Sequence, residues 1–246
     1  MRKVSASVIA LSAALAASAA LVAQGAGGAQ APAKAQPPMK AQAPAAETNR
    51  AVAGGGVFAP GWTGKTDSEK LENSKLTMEG NVLHVTTGPA TTYWNPANKA
   101  TGDYTVKATF NEPKYMNLND HPHPYGVFIA GNDLASSPTY LYCAAYGSGM
   151  FIVRGFGPAP FQMNGRRGEA NDAVHKAAGP GSPVSQEIAM SVKGDKVSCS
   201  INGTVVGTYD KAALAAQGIK STDGIYGIRF AHNTEGTVTG LAMTKN

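Results

Sequence analysis

Along residues 104–110 apolar and polar side chains alternate. Tyr104, Val106, Ala108 and Phe110 fall on one side of an extended chain, and Thr105, Lys107 and Thr109 on the other. That two-residue period marks a half-buried β-strand. Further strands are expected over 75–78, 82–86, 125–130, 139–146, 150–156, 187–193, 196–201, 204–209, 225–232 and 237–244. Gly80-Asn81, Gly147-Ser148-Gly149, Gly194-Asp195 and Asn202-Gly203 join several of them. Small residues and Asn accept positive φ cheaply, so these are hairpin turns and neighbouring strands run antiparallel. One short helix is expected over 210–217, with Asp210 as its N-cap and Gly218 beyond its end. Residues 158–183 are rich in Gly and Pro and show no strand period. They read as one long surface loop, with a turn of helix at 173–177. Many short strands with little helix predict an all-β fold, a two-sheet antiparallel β-sandwich of the jelly-roll kind, with barrel closure as the alternative.

The chain ahead of this pattern differs in character. Arg2 and Lys3 precede an uncharged run rich in Ala, Leu and Val over 4–22, followed by small residues. This is the layout of a secretory signal, here residues 1–25, and it implies a periplasmic or secreted protein. A membrane anchor fits less well, because the run leads into small residues rather than a basic stop. No transmembrane segment is then expected after cleavage. Residues 26–56 are Ala, Pro, Gln, Gly and Lys with almost no bulky apolar side chains, so they read as a disordered linker, and 57–246 as the folded domain.

Charge adds an exclusion. The chain has 21 Lys and Arg against 16 Asp and Glu, but five of the basic residues and one acidic residue precede Val57. The domain itself carries 16 against 15, a net charge of +1. With no basic stripe and no platform of aromatic residues interleaved with Arg, nucleic acid is not expected as a partner.

The chain holds two cysteines, Cys143 and Cys199, both on expected strands. In an oxidising compartment they form either a disulfide or two buried thiols, depending on a Cα separation that sequence does not give. Gly61-Trp62-Thr63-Gly64-Lys65-Thr66 ends like a phosphate loop, but Ala59 stands where the first Gly belongs and no strand precedes it. No Gly-x-Ser-x-Gly elbow is present.

The segments 61–64 (GWTG), 123–131 (HPYGVFIAG), 140–142 (YLY), 197–203 (VSCSING) and 224–229 (GIYGIR) resemble exported bacterial proteins with the concanavalin A-like lectin/glucanase fold. In order they are similar to the 3-keto-disaccharide hydrolase domain and its laminin-G-like relatives. The resemblance covers nearly the whole domain and implies a jelly roll of two curved sheets whose concave face or rim loops meet glycans. Glucanases of this fold carry Glu-x-Asp-x-x-Glu on one strand, because two carboxylates must flank the scissile bond. This chain has no such run. Glu169 and Asp172 lie in the long loop beside Arg166 and Arg167 and read as a solvated ion cluster.

Binding chemistry is better represented. Tyr140, Tyr142 and Tyr146 alternate with Leu141, Cys143 and Ala145, so an inward-facing second set leaves the tyrosines as a stripe suited to the C–H faces of sugars. The competing arrangement packs the tyrosines inward with their hydroxyls at the edge. Arg154 and Arg229 sit on otherwise apolar strands, where a charged head is either paired or turned to water. Trp62 and Trp94 serve either as platforms or as core anchors. Asp120-His121-Pro122-His123 is the most distinctive polar cluster, yet a third strong ligand at a recognisable spacing is missing, so no metal is expected, nor any other cofactor. These residues point to a non-catalytic module for a carbohydrate or other polar ligand. Tyr140, Tyr142, Arg154 and Arg229 would lie on one sheet face, with His121, His123 and Tyr125 at its rim. A glycoside-processing enzyme using His121 or His175 as acid or base, and an interaction domain with no small ligand, are the alternatives.

Overall fold

A computed structural model describes residues 48–67, 70–165 and 167–246. The expected signal peptide and residues 26–47 of the linker lie outside the described residues. Among the described residues fifteen strands follow in chain order. The first five are β1 (Thr63–Thr66), β2 (Ser74–Glu79), β3 (Val82–Thr87), β4 (Thr91–Ala100) and β5 (Tyr104–Glu112). Next come β6 (Pro124–Asn132), β7 (Thr139–Tyr146), β8 (Met150–Phe156), β9 (Pro160–Gln162) and β10 (Glu169–Ala170). The last are β11 (Val184–Lys193), β12 (Lys196–Ile201), β13 (Thr204–Asp210), β14 (Gly224–Phe230) and β15 (Glu235–Lys245), with a helix α1 (Lys211–Ala216) after β13. No helix among the described residues is long and apolar enough to cross a membrane.

The strands form two antiparallel sheets. One runs β1-β4-β14-β6-β7-β8-β10, with β9 also on β8; the other runs β13-β12-β11-β5-β15-β3-β2. The alternation read along β5 holds: Tyr104, Val106, Ala108 and Phe110 are buried between the sheets. Asn202 and Gly203 take φ of 49° and 81°, the left-handed values that a tight Asn-Gly hairpin needs. From the facing sheet Tyr125, Val127, Ile129, Leu141, Cys143 and Ile228 complete the core. Cys143 on β7 and Cys199 on β12 are joined by a disulfide with Cα atoms 5.9 Å apart. It ties the two sheets together, and closing a loop of 56 residues contributes about 4 kcal/mol.

Several elements depart from the pattern reading. β4, ten residues long, pairs with the edge strand β1 and with β14. Its sequence TTYWNPANKA neither alternates nor avoids Pro, so the period gave no sign of it. The turn of helix at 173–177 does not form. Val174 is instead buried, and Lys176 bridges back to Ser148. The Asp210 carboxylate pairs with Lys196 rather than capping α1. Residues 48–56, read from sequence as the end of the linker, are held on the domain. The Arg50 N–H donates to Asn233 Oδ1 and its Nε to the Thr87 carbonyl, each at 2.8 Å, and Val52 is buried.

Candidate functional site

The site grows from one piece of register. β6 and β14 pair with Tyr125 opposite Phe230 and Gly126 opposite Arg229, and the ladder runs one step further as the Ala231 N–H donates to the Pro124 carbonyl at 3.0 Å. The next step sets His232 across from His123, and their rings lie 4.1 Å apart between centroids. Residues two apart in an extended chain project to the same side. His121 therefore joins them, with its Nε2 2.9 Å from His123 Nε2. The outer nitrogens are also engaged. His123 Nδ1 lies 2.6 Å from the His232 carbonyl oxygen, and His121 Nδ1 lies 2.6 Å from Asp120 Oδ1. That second bond holds the Asp120 carboxyl below its usual range. The His232 loop is pinned by Thr87, whose hydroxyl lies 2.7 Å from the Ala231 carbonyl and accepts the Thr234 N–H at 3.0 Å.

Beside the imidazoles lies Arg229, on the face of β14 turned away from the main core. Gly126 stands across from it, where a Cβ would meet the Cys143 carbonyl oxygen at 1.9 Å, so only bare backbone fits. The Arg229 guanidinium is buried and engaged through both terminal nitrogens. Nη1 donates to Thr92 Oγ1 at 2.7 Å and to the Tyr140 hydroxyl at 2.9 Å, while Nη2 donates to Asp67 Oδ2 at 2.5 Å. Its carbon sits 5.2 Å from the Tyr142 ring centre and 5.0 Å from that of Phe156, within cation–π range. Burial opposes its charge, but the phenol oxygens of Tyr140 and Tyr142 and the Asp67 carboxylate outweigh it and push its pKa up. A neutral Arg229 plays no part in the chemistry here.

One cavity of about 290 Å³ collects these groups. Asp67, His121, His123, Tyr142, Tyr146, Arg154, Arg229 and His232 all line it. Five of the seven residues proposed from sequence therefore share one wall: His121, His123, Tyr142, Arg154 and Arg229. Arg154 is exposed, and no ion pair forms from it among the described residues. Two residues need correction. Tyr125 is not at a rim; it is 1 % exposed and stacks between Phe110 and Phe230 in the main core, because it shares the inward parity of Val127 and Ile129. Tyr140 is not an exposed platform; it is 2 % exposed, and its hydroxyl positions Arg229 from below. The tyrosine face of β7 is a second apolar cluster, with Trp94, Phe128, Leu134 and Ile152, rather than an open stripe. His175 sits elsewhere, tied to Ser185 and Gln186.

Sequence reasoning missed His232, Asp67 and the convergence of Tyr146. His232 is 109 residues from His123, and only the pairing of two non-consecutive strands brings them together. A wider groove of about 970 Å³ runs past Trp94 and Pro96, but among the described residues its charged side chains are Lys65, Lys70 and Glu72, and no comparable set of groups converges there.

No protein-family model and no curated protein matches this sequence. Solved structures of similar fold include a carbohydrate binding module, CBM66, from Bacillus subtilis, at 8 % identity over 77 % of this chain and 98 % of that one, with a TM-score of 0.45. A protein of unknown function with a galectin-like fold, also from Bacillus subtilis, aligns at 13 % identity over 75 % and 89 %, with a TM-score of 0.46. A glycoside hydrolase family 16 endo-glucanase from Bacteroides ovatus aligns at 13 % identity over 75 % and 84 %, with a TM-score of 0.44. Likenesses this distant say nothing of ligand or chemistry, which rest on the cavity alone.

Proposed function

We propose that this chain is an exported, non-catalytic binding module for a small polar ligand, with carbohydrate the class that best suits its site. One observation carries the reading: an exposed guanidinium, a buried one, two tyrosines and three imidazoles converge on a single cavity. Its volume of about 290 Å³ stands at the low end of the roughly 300–1,000 Å³ usual for ligand sites, room for one ring-sized group. Arginine donors suit hydroxyl and carbonyl oxygens, imidazole lone pairs accept from hydroxyls, and the tyrosine rings offer an apolar wall. Against glycoside hydrolysis of the two-carboxylate kind stands the acid count. Among the described residues only Asp67 brings a carboxylate to the cavity wall, and it is committed to Arg229.

A glycoside-processing enzyme is the second reading, favoured by the His121–Asp120 pair, since a carboxylate behind an imidazole orients it as a base. A glycan array run beside a hydrolysis screen separates the two. Saturable binding without product is expected. Turnover that disappears in His121→Ala would replace the module by the enzyme.

A further inference from the structure

Three of the chain's five histidines meet at the mouth of this cavity, and their hydrogen bonds dictate what they present to one another. A carbonyl oxygen only accepts, so His123 Nδ1, 2.6 Å from the His232 carbonyl, carries a hydrogen. A carboxylate likewise only accepts, so His121 Nδ1 also carries one, donated to Asp120. In the neutral rings both Nε2 atoms are then lone-pair acceptors, and they face each other at 2.9 Å. Two lone pairs at that distance repel unless a positive centre lies between them. One ring nitrogen from each of His121, His123 and His232 falls within 4.8 Å of the others. Around a tetrahedral zinc ion with Zn–N bonds of about 2.0–2.1 Å, ligand nitrogens stand about 3.3–3.4 Å apart. To reach that spacing the Nε2 pair opens by about 0.4 Å and any wider separation closes.

We propose that His121, His123 and His232 form a binding site for a divalent borderline metal ion, of which Zn²⁺ is the type. Imidazole is a preferred ligand for such ions, and three protein ligands with an open fourth position is the arrangement of a solvent-accessible zinc site. The outer shell also matches, because ligating histidines donate their second ring N–H to a carboxylate or a backbone carbonyl, as Asp120 and the His232 carbonyl receive here. The backbone bearing His232 is fixed by Thr87, so the site is organised before any ion arrives. Positive charge nearby does not forbid the ion. Arg229 is neutralised by Asp67, and Asp120 stands behind His121. The open position belongs to the cavity that Arg154 also lines, so an oxygen donor, water or a ligand hydroxyl, would fill it. The proposal stands apart from the carbohydrate reading and survives its failure.

The test uses the full chain without a histidine tag, stripped with a chelator and titrated calorimetrically with Zn²⁺ alone. One equivalent is expected to bind. Loss of a ligand in His121→Ala or His232→Ala should weaken binding more than the roughly 10–100-fold typical of an outer-shell change, which is the loss expected for Asp120→Asn. His84→Ala and His175→Ala should leave it unchanged. The His121 side chain is 56 % exposed, so its variant keeps the fold and the test decisive. Uptake below one-tenth of an equivalent, or undiminished affinity in His121→Ala, overturns the site.

Discussion

Arg154 and Arg229 look alike in the sequence, each a single cation on an apolar strand, yet the structure gives them different work. Arg229 is 7 % exposed, and every polar atom it reaches is positioned by it in return. Arg229→Ala leaves the Tyr140 hydroxyl and Thr92 with only each other, at 2.8 Å, and removes the partner of Asp67. Breaking a buried pair costs about 3–5 kcal/mol, and because the Asp67 side chain is 39 % exposed and rehydrates, a loss of about 2–3 kcal/mol is expected. Urea unfolding measures it as a lower midpoint at unchanged slope. A loss within about 0.5 kcal/mol, the range of an ordinary surface substitution, contradicts the assignment. The chemistry of both residues was legible in their charge and setting. Which was buried was not, because that depends on Asp67, which lies 162 residues from Arg229. Tyr125 failed for a simpler reason: proximity to His123 in sequence suggested the rim, whereas strand parity sends it into the core.

Elements with one wet face showed in sequence which side chains point inward, and those with two dry faces were legible only as strands. β5 and β11 alternate between buried and partly exposed positions, as the two-residue period demands. β6 and β7 are buried along nearly their whole length, because one face meets the main core and the other the Trp94–Tyr140–Tyr142 cluster. A continuous apolar run identifies such a strand without saying which side chains face which layer. The end of β5 carries a consequence for stability. There Glu112 is 6 % exposed, and burial pushes its carboxyl up to about 7, although a hydrogen bond from the Met116 backbone pulls the other way. Its ordinary value is near 4.5, so between about pH 4.5 and 7 the folded state binds more proton than the unfolded chain. Glu112 therefore makes stability fall as pH rises through that window, after which its effect is constant. Glu112→Gln should flatten this fall when urea midpoints are compared from pH 5 to pH 8. Parallel profiles for the two proteins would contradict the placement of this carboxyl.

At the scale of the whole molecule, fold class followed from the spacing of hairpin turns and alternating strands, each written in consecutive residues. The site did not, since it is assembled from β6, β7, β8, β14 and the segment after β1, and the crossovers between them leave no local trace. Most of the polar residues that line the cavity stood out in the sequence because charges and imidazoles on apolar strands must have a reason to be there. It left out His232 and Asp67, whose reasons are their distant partners. The central claim is that the shared cavity is where ligand binds. Calorimetric titration with the glycan that binds best on the array, in the parent protein, in Arg154→Ala and in His175→Ala, tests it most directly. Arg154 is exposed and unpaired among the described residues, so Arg154→Ala should leave the unfolding midpoint in place and weaken binding by about tenfold or more, the loss of one charge-assisted hydrogen bond. His175→Ala should bind as the parent does. Equal affinity in the parent and Arg154→Ala would mean the ligand sits elsewhere.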